Sequence, residues 1–235
     1  MSLEATMKRL FPAARPQAEF VRRTVELLAP LGFTPENTIA IIDVCRDEMA
    51  QSILPHVRSV WGEAFNLSSL AGLFLAGRTA LRAALHHAPR EGGRERFVLF
   101  QMAHIGVDAS GRLGACKRRG IEESDACGAL NVLLRELEAH VLTLGLDDTD
   151  VERSWLTLRV LREMPYGHIP DILELTKLVE RIGREDLERT LAQFVHPDRH
   201  DYALFSGTQV HVPSEHYIVP AVSYAVVSGK RQDLA

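Results

Sequence analysis

The chain has 235 residues, of which 46% are hydrophobic and 25% are charged, an ordinary composition for a globular protein with a substantial core. Its net charge of −4 at pH 7 excludes the basic surface that nucleic-acid binding requires. No window approaches about 20 uninterrupted apolar residues, which excludes a membrane-spanning helix.

The N-terminal segment and the cysteines favour a cytoplasmic protein. Residues 1–16 carry basic side chains but no apolar core of about 7–15 residues, so they do not fit a secretory signal, and Glu4 argues against a transit peptide. The three cysteines, Cys45, Cys116 and Cys127, are too few for a disulfide framework and odd in number. In a reducing compartment we expect them to be buried, metal-bound or reactive.

In the first half of the chain, apolar spacing alternates between the periods of helices and strands. The segment 38–44 is an Ile-rich run, typical of a strand covered on both faces. A second apolar run begins at Phe97 and ends at His104. The predicted elements are, in chain order, a helix over 17–31 that Gly32 ends, a strand over 38–44, helices over 47–60 and 70–84, and a strand over 97–104.

The second half starts with a hairpin or loop over 106–114 and ends in β-branched and aromatic segments. The predicted elements are a helix over 127–140 capped by Ser124 or Asp125, helices over 151–164 and 171–193, and strands over 202–212 and 217–227 that form a hairpin or edge strands. This order favours an α/β sheet flanked by helices, with a C-terminal β segment. We expect one domain over 1–235, with a leading helical segment (1–36), a metal-site core (37–140), and helices with C-terminal strands (141–235).

Three metal-binding residue types occupy the ends of predicted elements. Cys45 follows the first strand, His104 lies where the second strand ends, and Cys127 is placed in the first turn of a helix. Ligands bind at the carboxyl ends of strands in open α/β sheets, and a helix N-terminus favours a thiolate. If the three converge, two thiolates and one imidazole suit zinc with a fourth position open. The alternative is that all three are ordinary core residues.

Whole phrases of the sequence carry a family resemblance. VCRDEMAQSILPHV, WGEAFNLSSLAGLFLAGRTALRAALHHAP, GRERFVLFQMAHIGVD and SDACGAL, which span residues 44–130, resemble the limiting-CO2-inducible protein B and C family, a group similar to β-carbonic anhydrases. The resemblance implies a β-carbonic-anhydrase-like α/β fold, a homodimer, and Zn2+ bound by Cys45, His104 and Cys127.

The resemblance also implies a catalytic carboxylate and an arginine partner. Ordinary β-carbonic anhydrases have a Cys-x-Asp-x-Arg phrase, and Asp47 stands at its Asp position, but Met49 occupies the place of the arginine. We therefore expect Arg46 to keep Asp47 ionised and turned away from the metal. Arg96 and Arg119 are the alternatives.

The implied function is zinc-dependent, reversible hydration of carbon dioxide to bicarbonate. A homologue that keeps the zinc but is weak or inactive, and acts in bicarbonate sensing or assembly, is the first alternative. A thiol redox enzyme that uses Cys45 with Cys127 or Cys116 is the second, although it lacks a Cys-x-x-Cys phrase. No Gly-rich nucleotide motif or Gly-x-Ser-x-Gly elbow is present.

The remaining polar candidates are interpreted as structural or surface groups. They are His86 and His87 at a helix end, His196 and His200 in a Pro-containing loop, His211 and His216 beside a turn, the basic run Lys117–Arg119, and Cys116. Three of these have functional alternatives. His196 and His200, four residues apart, are a candidate second metal site on a helix, although Pro197 favours a loop. The first histidine pair, His86 and His87, is a candidate proton shuttle, and the basic run is a candidate for attracting bicarbonate.

Overall fold

The computed structural model describes residues 2–234. Within them the α-helices are α1 (Leu3–Leu10), α2 (Gln17–Leu28), α3 (Ile53–Trp61), α4 (Gly77–His86), α5 (Gly128–Ala139), α6 (Val151–Glu163) and α7 (Ile172–Phe194). The strands are β1 (Arg15–Pro16), β2 (Thr38–Val44), β3 (Ala64–Asn66), β4 (Arg90–Glu91), β5 (Arg94–Gly106), β6 (Ala115–Arg118), β7 (Ile121–Asp125), β8 (His200–Val212), β9 (Glu215–Val227) and β10 (Lys230–Asp233).

The predicted α/β sheet flanked by helices is confirmed. The main sheet has the order β1-β9-β8-β5-β2-β3, with β10 on β9 and β4 on β5, while β6 and β7 form a separate two-stranded sheet. β5 pairs in parallel with β2 on one side and with β8 on the other, and β2 pairs in parallel with β3. Every residue of β2 is buried, as its apolar sequence predicts for a parallel strand covered on both faces.

The C-terminal strands form the predicted hairpin, but β8 is not an edge strand. β8 lies between β5 and β9, and twelve of its thirteen residues are buried. β8 therefore completes the parallel centre of the sheet, and β9 turns back antiparallel to it. This position places the β8 side chains next to those of β5.

Helices cover both faces of the sheet. On one face, Phe20 of α2 meets the Phe205 ring edge-on at 6.0 Å, and Trp61 of α3 donates a hydrogen bond to Thr24 of α2 at 2.9 Å. On the other face, α4 and the C-terminal half of α7 pack on Ile41, Leu99 and other apolar strand residues. No helix within residues 2–234 is both long and apolar enough to cross a membrane.

Several predicted element boundaries are wrong. The helix expected over 47–60 begins at Ile53, because the Asp47 carboxylate accepts the Met49 N–H at 3.0 Å and holds a turn there. The helix expected over 70–84 is broken after a short 3₁₀ turn, since Gly72 has φ +78° and lies against the Met102 carbonyl. The first helix, α1, and the β6–β7 hairpin were not predicted.

Candidate metal centre

Cys45, His104 and Cys127 meet at the carboxyl ends of β2 and β5. Their potential ligand atoms all lie within 4.8 Å of one another, and all three residues are buried. The Cys45 and Cys127 sulfurs are 3.8 Å apart. Tetrahedral zinc with Zn–S bonds of about 2.3 Å would separate two sulfurs by about 3.75 Å. The spacing of the thiols therefore fits such an ion.

Each of the three side chains is fixed by a regular element. Cys45 follows the last residue of β2 and bridges to Ser69, while His104 lies in β5 two residues before that strand ends. Cys127 is the N-cap of α5, so the predicted caps Ser124 and Asp125 are wrong; both belong to β7. This arrangement holds the three ligand atoms on a rigid frame.

A glycine brings the Cys127 segment onto β5. A Cβ at Gly106 would lie 2.5 Å from the Ala115 carbonyl oxygen and 3.0 Å from the Ala126 Cβ. The Gly106 N–H donates to the Ala126 carbonyl at 3.0 Å. Only glycine permits this approach, which places Cys127 next to His104.

A hydrogen bond joins the two sulfurs and shifts the pKa values of the two thiols in opposite directions. A hydrogen bond from the Cys127 thiol lowers the pKa of Cys45 to about 4 in spite of its burial, and His104 adds to this effect. The same hydrogen bond and burial raise the pKa of Cys127 well above its usual value. Because thiolates are the metal-binding form, a bound cation would favour loss of the second proton as well.

The imidazole of His104 completes the donor set. His104 is fully buried, and neither Nδ1 nor Nε2 has a hydrogen-bond partner within residues 2–234. Buried polar groups without partners are rare, and each costs about 1–3 kcal/mol. A nitrogen donor left free beside two thiols has the chemistry of a zinc ligand. The residues present therefore fit a zinc ion.

Asp47 is ion-paired, but its partner is Arg118 rather than Arg46. The Arg118 guanidinium donates to Asp47 Oδ2 at 2.8 Å, to the Asp125 carbonyl at 3.1 Å, and to the Ser124 hydroxyl at 3.0 Å. Both side chains of the pair are largely buried. The Asp47 N–H points at the Cys45 sulfur at 3.5 Å, so the pair lies directly above the candidate ligands.

The other three arginine assignments fail for positional reasons. Arg46 points outward, is 63% exposed, and forms an ion pair with Glu152. Arg96 lies at the opposite end of the sheet, 3.7 Å from Asp201. Arg119 is exposed in the turn of the β6–β7 hairpin.

A glycine turn positions Arg118. Gly120, with φ +76°, stands between two short alternating runs and forms the turn of the β6–β7 hairpin. The hairpin places Arg118 over Asp47, whereas the charge run Lys117–Arg119 was expected to form a solvated face. Arg118 also forms an ion pair with the exposed Glu48.

The remaining candidates divide between the site and the surface. His211 was expected at the surface and is instead fully buried, with its ring 5.3 Å from that of His104 and its Nδ1 2.9 Å from Nδ1 of His216. Burial lowers the pKa of His211 well below its usual value. Cys116 is buried outside the ligand cluster and donates weakly to the Asp125 carbonyl at 3.6 Å.

The histidines elsewhere lie away from the site. His86 ends α4 and is exposed together with His87. His196 is in a loop, as expected, while His200 begins β8, is buried, and contacts Glu95 at 3.1 Å.

Comparison with known proteins places this geometry in a family. The model of the limiting CO2-inducible proteins B/C beta carbonic anhydrases matches residues 14–227. The chain belongs to this family. No curated protein sequence matches it.

Solved structures of the family share the fold over almost the whole chain. The crystal structure of limiting CO2-inducible protein LCIB is 30% identical with a TM-score of 0.78, and the match covers 96% of this chain and 95% of that chain. PtLCIB4, described as a homologue of LCIB, is 20% identical with a TM-score of 0.84, covering 98% and 99% of the two chains. Similar arrangements of helices and strands therefore exist in experimental structures.

Proposed function

We propose that this protein catalyses the zinc-dependent, reversible hydration of carbon dioxide to bicarbonate. The observation that carries the proposal is the combination of two elements. Cys45, His104 and Cys127 converge as a three-residue donor set, and a carboxylate is ion-paired beside it. Membership of a family described as β-carbonic anhydrases supports the same reaction.

The donor set suits a catalytic rather than a structural zinc ion. Structural zinc sites have four protein ligands, whereas catalytic sites have three and leave one position for solvent or substrate. When bound, zinc supplies the nucleophile, because it lowers the pKa of a coordinated water molecule to about 7. Among the described residues, the ligand group consists of the two thiols and the imidazole.

In this mechanism the Asp47 carboxylate accepts a hydrogen bond from the attacking water molecule and so orients it. Its Oδ2 accepts from Arg118 and its Oδ1 accepts from the Met49 N–H, so the carboxylate is fixed at both ends. A carboxylate in this state has lone pairs that accept a hydrogen bond from the attacking water and set its orientation. Arg118 orients the Asp47 carboxylate through the hydrogen bond to Oδ2.

The ion pair bears on the alternative of an inactive homologue. A closed site requires the Asp47 carboxylate to become the fourth ligand, and this would break the hydrogen bonds from Arg118 and Met49. The Asp47–Arg118 ion pair therefore favours an active carbonic anhydrase over an inactive homologue that acts only in bicarbonate sensing or assembly. A thiol redox role is less well supported, because it leaves the unpartnered His104 without a function.

We further propose that the single domain over 1–235 assembles as a cytoplasmic homodimer without nucleic-acid or membrane partners. Large apolar side chains are exposed on one side of α6 and in the segment before it, and burial in a dimer would remove them from water. They are Leu144, Leu146, Val151, Trp155 and Leu158. Light scattering at micromolar concentration tests the dimer, and a monomer that keeps full activity on dilution would remove it.

The reaction is tested by measuring metal and catalysis on one sample. Plasma mass spectrometry is expected to give one zinc per chain, and stopped-flow detection of proton release with a pH indicator is expected to show carbon dioxide hydration. Zinc without hydration would favour the inactive homologue. A Cys45–Cys127 disulfide without metal would favour the redox enzyme.

A further inference from the structure

A buried glutamine lies beside His104 on the neighbouring strand. β8 pairs in parallel with β5, and Gln209 is the register partner of His104. Register partners on neighbouring strands project from the same face of a sheet, and the strands are about 5 Å apart. The Gln209 amide therefore stands next to the His104 imidazole, on the sheet face that α2 covers.

One end of the Gln209 amide is fixed by a relay of hydrogen bonds. Its Oε1 accepts from Gln17 Nε2 at 2.7 Å, and Gln17 Oε1 accepts from the Ser52 hydroxyl at 2.9 Å. Because both amide oxygens are occupied, the orientation of Gln209 is set. Its Nε2 is left as the free hydrogen-bond donor.

This donor has no protein partner. Gln209 is 0% exposed, and its Nε2 makes no hydrogen bond within residues 2–234. The neighbouring His104 nitrogens and His211 Nε2 are in the same state. Unpartnered groups on three adjacent buried residues favour a polar ligand that hydrogen-bonds to them, because each would otherwise destabilise the fold by about 1–3 kcal/mol.

We propose that Gln209 Nε2 donates a hydrogen bond to an oxygen of bicarbonate at the candidate metal centre. Gln209 is then a substrate-binding residue, and Gln17 and Ser52 position it. Bicarbonate is favoured over carbon dioxide because a charged oxygen is the stronger acceptor. This inference rests on the proposed function and names the residue that recognises its charged substrate.

The chain offers a matched control in Gln101. Gln101 is also 0% exposed and lies in β5, three residues before His104, so it projects from the opposite face. Its Nε2 donates to the Gly72 carbonyl at 2.9 Å. Replacing either glutamine removes one buried amide of equal size, but only Gln209 stands beside the ligand cluster.

The direct test is a bicarbonate titration of the wild-type protein, ¹⁵N-labelled and purified with its metal. At constant pH and ionic strength, with chloride as the reference anion, the side-chain amide signals of Gln209 are expected to shift in a saturable manner. Those of Gln101 are expected to stay in place. Absence of a Gln209 shift while bicarbonate is bound elsewhere, or absence of any binding, overturns the inference.

Kinetics supply the second readout. Gln209→Leu is expected to raise KM for bicarbonate dehydration by about 10–100-fold, the effect of losing a hydrogen bond to a charged group, with a smaller change in kcat. Gln101→Leu is expected to leave KM unchanged. Equal KM values in the wild type and Gln209→Leu overturn the inference while the proposed function stands.

The two proposals fail separately. A wild-type protein that does not hydrate carbon dioxide defeats the catalytic proposal, yet the titration still decides whether Gln209 binds bicarbonate. The titration also needs no variant, so a Gln209→Leu protein that does not fold leaves the decision with the wild-type spectrum.

Discussion

Within the described part of the chain, buried polar side chains are hydrogen-bonded at the amino end of β5 and lack hydrogen-bond partners at its carboxyl end. At the amino end, Glu95 is bound by Arg90 and Arg199 at 2.7 Å each and by His200, and the Arg94 fork holds Asp201 at 2.5 and 2.7 Å. At the carboxyl end, the His104 ring nitrogens have no hydrogen-bond partner among residues 2–234. Buried polar groups that are all hydrogen-bonded to one another stabilise the fold. Buried polar groups without hydrogen-bond partners are typical of a place where a ligand binds.

The strongest way to break this comparison is to remove a ligand at the carboxyl end. Replacing Cys45, His104 or Cys127 by alanine is expected to abolish most zinc binding and with it the activity, because two donors cannot hold the ion. Plasma mass spectrometry measures the metal. Cys116→Ala is the control and should retain zinc. If Cys116→Ala loses the metal while Cys127→Ala keeps it, the third ligand is assigned wrongly.

The second test concerns the carboxylate above the ligands. Asp47→Asn is expected to keep zinc and to reduce the hydration rate by about 10²–10⁴-fold, because it removes a positioned proton acceptor. Arg118→Ala is expected to reduce the rate by about 10–100-fold, as the loss of an orienting partner does. Stopped-flow measurements determine both rates.

Arg46→Ala provides the matched control for Arg118→Ala. Because Arg46 is 63% exposed and pairs with Glu152 rather than with Asp47, its removal should change the rate by less than about fivefold. If Arg46→Ala lowers the hydration rate as much as Arg118→Ala does, Arg46 acts as the partner of Asp47 and the assignment of Arg118 is wrong.

The third test moves to the amino end, where stability rather than catalysis should suffer. Asp201→Asn leaves Arg94 without its buried counter-charge and is expected to lower the free energy of unfolding by about 3 kcal/mol. Zinc content and kcat should be unchanged. Urea unfolding gives the first quantity, and the zinc and rate assays give the others. A large fall in kcat without loss of stability would contradict the division between the two ends.

The smallest effect is the pH dependence of that stability. Burial alone would raise the pKa of Asp201, but hydrogen bonds from Arg94 and from the Ser228 N–H lower it below its usual value. Its contribution is therefore present above the unfolded pKa of about 4 and is lost as pH falls through the folded pKa. Unfolding curves at several acidic pH values should show this loss, and Asp201→Asn should show a shallower one.

The sequence predicts the parts of this molecule that depend on local pattern. β2 occupies the predicted residues 38–44, because a parallel strand buried on both faces needs an apolar run. The three candidate ligands were identified because they sit in family phrases. Their convergence follows from the parallel pairing of β2 with β5, which brings both carboxyl ends to one edge.

The site residues that the sequence does not predict depend on contacts between distant segments of the chain. Arg118 is 71 residues from Asp47 in the sequence, and its charge run is indistinguishable from a solvated face until the hairpin forms. The places of His211 and Gln209 beside His104 likewise depend on a distant segment, since they follow from the interior position of β8 next to β5. A prediction of β8 as an edge strand leaves His211 at the surface.

The β6–β7 hairpin and the main sheet contribute different residues to the candidate site. It is not part of the main sheet, and it supplies Arg118 while Cys45 and His104 come from the sheet itself. Substitutions at the Arg118 end of the hairpin can therefore alter the ion pair of Asp47 while Cys45 and His104 stay in place, whereas Cys127 directly follows the second strand of the hairpin. The ion-pair partner of Asp47 and two of the three candidate ligands are therefore carried by separate segments of the chain, so that a change in one segment leaves the other as it is.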